Sequence, residues 1–187
     1  HCDRIIINLP ATVEVGMPRE YGNLIEWMHD RIEYREKVVL SAHPHNDRGT
    51  AVAAAECALL AGADRVEGCL FGNGERAGNL DVFNLAMNFY VHGRDPGLDF
   101  SHLDEIVEVY EEATGLRVSE RHPYAGALAF KSMSGTHQDA ILKIVSNMNP
   151  DGSWRGVAYN NIDPHDLGRD FEAVAITSQS GSGGIGY

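Results

Sequence analysis

Cysteine is scarce in this chain: Cys2, Cys57 and Cys69 are the only three among 187 residues. An odd set without zinc-type spacing argues against a disulfide framework and fits free thiols in a reducing cytoplasm. No apolar run approaches the ~20 residues that cross a bilayer, so no membrane partner is expected. The apolar stretch near the start ends in Leu9-Pro10 with no small-residue cleavage site, so no signal peptide is expected either. Basic residues are few. Fifteen Lys and Arg stand against 27 Asp and Glu, for a formal net charge of −12. Nucleic-acid binding calls for a basic patch, and none is visible. Any site for an anionic substrate must therefore be local. A G-x-G-x-x-G string after the first strand is also missing, which argues against dinucleotide binding.

What is present is an ordinary apolar fraction of 43 %, enough for a sizeable core. The first half alternates β-like and helical patterns. Arg4 to Leu9 reads as a buried parallel strand. Pro18 to about Arg35 reads as a helix with Leu24, Ile25, Met28 and Ile32 on one face. Val38–Ala42 is a second strand, Thr50–Ala61 an Ala-rich helix stopped by Gly62, and Arg65–Leu70 a third strand. Asn79 is placed as the N-cap of a helix to about Val91, with Asp81 in its first turn. Such alternation implies an α/β fold with parallel strands, as a barrel or as a doubly wound sheet. The second half reads as helices at Ser101–Thr114 and about Thr136–Met148 with no strand between, then a stretch from Asn149 rich in Asn, Asp, Gly and Pro. Domains are expected at residues 1–95, 96–148 and 149–187, the last as a linker. The glycine-rich tail from Ser178 to Gly186 is expected to be part of that linker.

The sharpest chemical signal is His43-Pro44-His45-Asn46-Asp47 at the end of the second strand. Side chains at i and i+2 on a strand point the same way. Two imidazoles there can converge on one metal ion; a pair of exposed loop histidines is the plainer alternative. Two ligands alone leave a catalytic site incomplete. The loop from Gly72 to Asn79 adds three glycines that permit close backbone approach. Glu75 could serve as a base or simply pair with Arg76, and Asn79 could offer its amide oxygen to the metal or cap the helix. Thr12, just past the first strand, could bind a carboxylate or cap the strand. His137, near a helix start, titrates near neutrality, though a solvent-facing histidine fits the same pattern. Tyr159 has no claim from its local pattern.

The strings PATVE, SAHPHNDRGTA, EGCLFGNGERAGN, RHPYAG, SGTHQDAI and AYNNIDPHDLGRDFEA resemble successive motifs of the 2-isopropylmalate synthase family, within the DRE-TIM metallolyase superfamily. The resemblance spans essentially the whole chain. It implies a (β/α)8 barrel entered at about the sixth strand, then a small helical subdomain, a linker and a regulatory domain. It also implies condensation of acetyl-CoA with 2-oxoisovalerate on a divalent metal (Mg, Mn or Zn). His43 and His45 match the metal-binding histidines, and Thr12 matches the residue touching the oxo acid's carboxylate. Glu75 and Asn79 match the polar loop near the metal. His137 and Tyr159 match subdomain residues that act in catalysis from the partner protomer, which implies a homodimer.

The chain departs from that pattern in four places. The family's first-strand Arg-Asp pair, the source of a third metal ligand, has no counterpart, nor has the strand-five glutamate. The regulatory domain is expected to be missing beyond Tyr187, and AYNN stands where the resemblance leads one to expect a proline-containing string. With 187 residues against roughly 250 for a full barrel, the chain is read as an enzyme fragment, inactive by itself. The competing readings are a sister condensing enzyme, homocitrate or citramalate synthase, and a non-catalytic metal-binding remnant.

Overall fold

A computed structural model describes residues 4–132, 134–145, 147 and 159–170. The chain divides into two compact units, His1–Pro96 and Gly97–Tyr187. Trp154, most of the segment after Asn149 and the glycine-rich tail lie outside the described residues.

The first unit is built on three parallel strands, β1 (Ile5–Ala11), β2 (Val38–Pro44) and β3 (Arg65–Val66), in that order across the sheet. Helix α1 (Pro18–Arg31) connects β1 to β2, α2 (Ala51–Leu60) connects β2 to β3, and α3 (Val82–Val91) follows. Ile5 pairs with Val38 and the register runs unbroken to Ala11 and Pro44. His43 therefore lies within β2, opposite Pro10. The core forms where α1 and α2 cover β2: Tyr21, Ile25, Leu40, Ala42, Ala54 and Ala58 are all buried. Small residues let the two helices approach closely. A Cβ on Gly22 would stand 3.1 Å from the Cys57 Cβ, so a larger residue there would push α1 off α2.

Several elements differ from the sequence reading, each for a visible reason. α1 ends at Arg31, and Tyr34 then turns the backbone left-handed before a short 3-10 turn at Arg35–Lys37. On α1, Ile25 is fully buried but Leu24 is 48 % exposed, so the apolar face is narrower than expected. β1 is not buried on both faces: Ile5 and Ile6 are 57 % and 54 % exposed. Among the described residues it has a strand on one side only. β3 stops after two residues because the chain runs against the segment before α3. Cys69 donates its N–H to the Leu80 carbonyl at 2.8 Å, and a Cβ on Gly68 would fall on that segment, 2.9 Å from Leu80 Cβ. The cap of α3 is Asp81 and not Asn79: its carboxylate accepts from Phe83 N and Asn84 N at 3.1 and 3.2 Å.

In the second unit, α4 (Leu103–Thr114) ends on Gly115 in the left-handed conformation, and α5 spans Gly135–Val145. No strand occurs among its described residues. Leu103, Ala125, Ile141, Ile162 and Leu167 are buried. Within residues 160–170, Ile162, Pro164 and Leu167 are buried. Arg169 grips Asp104 through Nε and Nη2 at 2.9 and 2.7 Å, and donates to the Tyr124 and Gly126 carbonyls.

Candidate functional site

Three loops at the carboxyl ends of β1, β2 and β3 meet in the first unit, the position from which α/β folds act on ligands. Buried Glu14 joins the first two loops. Its carboxylate accepts from Thr50 N at 3.1 Å, from Arg48 N and from the Thr50 hydroxyl. Glu14 does so from a left-handed backbone, φ +48°, which a non-glycine residue adopts only at a cost. Arg76 joins all three loops. Its guanidinium holds Asp47 through Nε at 2.7 Å and Nη2 at 3.0 Å, donates to the Thr12 carbonyl, and reaches His45 Nδ1 at 3.3 Å.

His43 and His45 face each other, with ring centroids 5.2 Å apart. The strand alternation that predicts their convergence holds, although β2 ends at Pro44 and His45 continues the line only through a single bridge to Asn79. The His43 backbone is fixed from below: its N–H donates at 3.0 Å to the Tyr21 hydroxyl, which donates to the Leu9 carbonyl at 2.5 Å. His43 Nδ1 lies 3.0 Å from a Glu67 carboxylate oxygen. Its Nε2 faces the Asn79 side-chain nitrogen at 3.3 Å. The His45 ring is held below its usual pKa, first by burial and then by His43 and Arg76 beside it. That keeps the imidazole neutral, the form that binds metals.

Asn79 is the third candidate ligand. With Asp81 as the cap, the two roles that the sequence left in competition fall to different residues. The Asn79 side-chain oxygen is buried and makes no hydrogen bond, and an orphaned buried acceptor is costly without a partner. Two imidazoles and a carboxamide oxygen suit a divalent cation. Among the described residues no group of three or more His, Cys, Asp and Glu completes such a site. Gly74 makes room for the amide: a Cβ there would stand 2.8 Å from the Asn79 amide carbon. Gly74→Ala is therefore expected to displace Asn79 and weaken metal binding measurably. The thermal midpoint is expected to fall as well, because Gly74 has φ +158° and the new Cβ would also stand 3.0 Å from the Asn79 backbone nitrogen. Metal titration and a thermal melt, run side by side, check both halves.

The remaining expected site residues are placed as follows. Thr12 is exposed just past β1 and helps to line a cavity of about 320 Å³ with Pro10, Glu14, Tyr21 and Leu24. Glu75 projects at the loop tip with its side chain 80 % exposed, 3.8 Å from Arg76. His137 and Tyr159 belong to the second unit. Their rings stack with centroids 5.0 Å apart, a pairing their 22-residue separation hid, and Tyr159 is held left-handed at φ +58°. Sequence reasoning missed Glu67. Its signal was an acidic residue within a string expected to be a buried strand, where an unpaired carboxylate is rare.

The HMGL-like family model matches residues 2–110, and the model described as "Alpha-isopropylmalate synthase, post-catalytic domain-like" matches residues 127–187. A 2-isopropylmalate synthase of Paraburkholderia xenovorans (strain LB400) is 56 % identical over 185 residues, 98 % of this chain and 32 % of that protein. The one from Herbaspirillum seropedicae (strain SmR1) is 57 % identical over the same shares. The one from Azotobacter vinelandii is 54 % identical over 99 % of this chain and 33 % of its own. The chain thus spans about a third of the length of these relatives. A solved HMG-CoA lyase from Acenitobacter baumannii, in complex with coenzyme A and 3-methylmalate, matches with a TM-score of 0.51 at 22 % identity, over 66 % of this chain and 39 % of that one. At that identity the likeness speaks to the fold alone, and it agrees with a segment of a (β/α)8 barrel.

Proposed function

The chain belongs to the HMGL-like family, and from that premise we propose that it is the part of a 2-isopropylmalate synthase carrying two metal-binding histidines and the subdomain that follows the barrel. The observation that carries this reading is the meeting of His43, His45 and the Asn79 amide, whose nitrogen faces His43 and whose buried oxygen has no hydrogen bond, in a chain whose relatives bear that name along 98 % of its length.

Enzymes of this family use a divalent metal. His43, His45 and Asn79 would hold it, and when bound it would supply a Lewis acid for the carbonyl of a 2-oxo acid. Magnesium, manganese and zinc all accept such ligands. The substrates are acetyl-CoA, 2-oxoisovalerate and water; the acetyl methyl carbon bonds to the keto carbon, water then cleaves the thioester, and the products are 2-isopropylmalate and CoA. Thr12, beside the cavity at the end of β1, would receive the oxo acid's carboxylate. Proton handling falls to Glu75, His137 and Tyr159: one proton leaves the acetyl methyl group, and one reaches the new alkoxide. The stacked His137 and Tyr159 rings support a shared role for those two. In this reading the active protein is a homodimer, with the subdomain of one protomer completing the site of the other.

The test is a thiol-release assay on a full-length synthase containing this sequence, given acetyl-CoA with 2-oxoisovalerate or with smaller and dicarboxylic 2-oxo acids. CoA release is expected to be fastest with 2-oxoisovalerate. A clear preference for another oxo acid would assign the chain to a sister condensing enzyme.

A further inference from the structure

Glu67 follows β3 and sits under the histidine pair. Its N–H continues the sheet by donating to the Ala42 carbonyl at 2.8 Å. Its carboxylate gathers donors from all three strands. Asn8 Nδ2 of β1 donates at 2.5 Å and the Ser41 hydroxyl of β2 at 2.9 Å; Arg65 of β3 donates alongside them. The remaining partner is His43 Nδ1, at 3.0 Å. Three side chains thus donate to this carboxylate, and the Arg65 guanidinium pairs with it as an ion. An ionised carboxylate has no proton to give. The proton between the two groups therefore belongs to His43 Nδ1, and the ring's lone pair is on Nε2. That nitrogen faces Asn79.

We propose that Glu67 is a positioning residue: it locks His43 in the Nδ1–H tautomer and ring orientation that present Nε2 to the divalent metal. This rests on the metal reading above. A carboxylate behind a ligating imidazole orients it and raises its basicity, and losing such a partner typically costs about 10–100-fold in metal affinity. Glu67 sits on the side of the ring away from Asn79, so it acts through His43 and not as a ligand.

The experiment is a titration of Mn²⁺ alone into the metal-free, full-length protein, by calorimetry or by the signal of the free ion. Glu67→Gln is expected to raise the Mn²⁺ dissociation constant about 10–100-fold, because an amide can turn its NH₂ towards Nδ1 and favour the other tautomer. Glu67→Asp, which keeps the charge with a shorter reach, should recover part of the loss. Ser41→Ala and Arg65→Gln remove other partners of the same carboxylate and should stay near the parent value. Equal loss in those two would make Glu67 a strand-pairing anchor only, and would overturn the proposal. So would parent-like affinity in Glu67→Gln. Nitrogen-15 spectra of the metal-free parent protein give a readout that needs no variant to fold: His43 should carry its proton on Nδ1, and a proton on Nε2 refutes the assignment. His43→Ala separates the two layers. If it binds Mn²⁺ as the parent does, the metal reading falls and the Glu67 proposal with it. If it loses the metal while Glu67→Gln does not, only the Glu67 proposal falls.

Discussion

Replacing His43 and His45 together by Ala in the full-length protein is expected to abolish divalent-metal binding in a calorimetric titration. The two rings lie 5.2 Å apart and face one another, and among the described residues no other imidazole stands at the carboxyl ends of β1, β2 and β3. Of the ligands this chain supplies, only the Asn79 amide remains, since the nearby carboxylates are engaged: Asp47 by Arg76, Glu14 by the Thr50 region, and Glu67 by Asn8, Ser41 and Arg65. A single carboxamide does not hold a divalent cation against water. The fold should survive, since His43 and His45 are not part of the apolar cluster under α1 and α2. Circular dichroism matching the parent, with no heat of metal binding, is the expected pair of results. Unchanged affinity would move the metal elsewhere and leave the histidines as a packing feature.

His137→Gln is expected to lower kcat of the full-length enzyme by about 10²–10⁴-fold, the usual contribution of a positioned acid or base. KM for the oxo acid should barely change, because a proton-transfer group works in the transition state. Metal content should be normal, since the metal histidines are on a different element. The motive is local. His137 stands in the first turn of α5 and stacks on Tyr159, which is held in a left-handed turn. Both rings are exposed, Tyr159 to 58 %; a histidine that only faces solvent would leave kcat unchanged within error on its loss. Mixing His137→Gln chains with His43→Ala chains then asks where the residue acts. If subdomains serve the partner's site, some mixed dimers contain one intact site and regain part of the activity. Dimers without recovered activity would assign His137 to its own protomer.

How far the sequence could be read depended on whether the deciding interaction was local. The HPH triplet was legible because strand alternation is a short-range rule, and the structure keeps it through Pro44. The parallel order of β1 and β2 was legible from β-branched runs joined by a helix. The cap of α3 was not. Asn79 and Asp81 are both good capping types, and only the fold shows that Asn79 is spent on His43 while Asp81 turns to Phe83 N and Asn84 N. β3 was overestimated because its end is set by Leu80, a residue from the far side of the loop. Arg76 could be read as the neighbour of Glu75 but not as the joint of three loops. Its links to Asp47 and Thr12 cross 29 and 64 residues. The stack of His137 on Tyr159 has the same non-local origin.

Glu14 shows how narrowly one position can be specified. The site asks two things of it at once: a left-handed backbone, and a carboxylate long enough to reach Arg48 N and both donors of Thr50. Glycine would relax the backbone but offers no acceptor. Asparagine and aspartate tolerate the conformation but are one methylene shorter. Glutamine has the reach, yet it would offer a weaker acceptor to the same donors and would have to seat an NH₂ group in a buried place. The substitution landscape at this position therefore has a single deep well with steep walls. Opposite it, two of the three donors are main-chain amides, which any residue but proline supplies. Drift in this corner of the molecule should accordingly be lopsided, permissive along the chain that is held and close to forbidden at the residue that holds it.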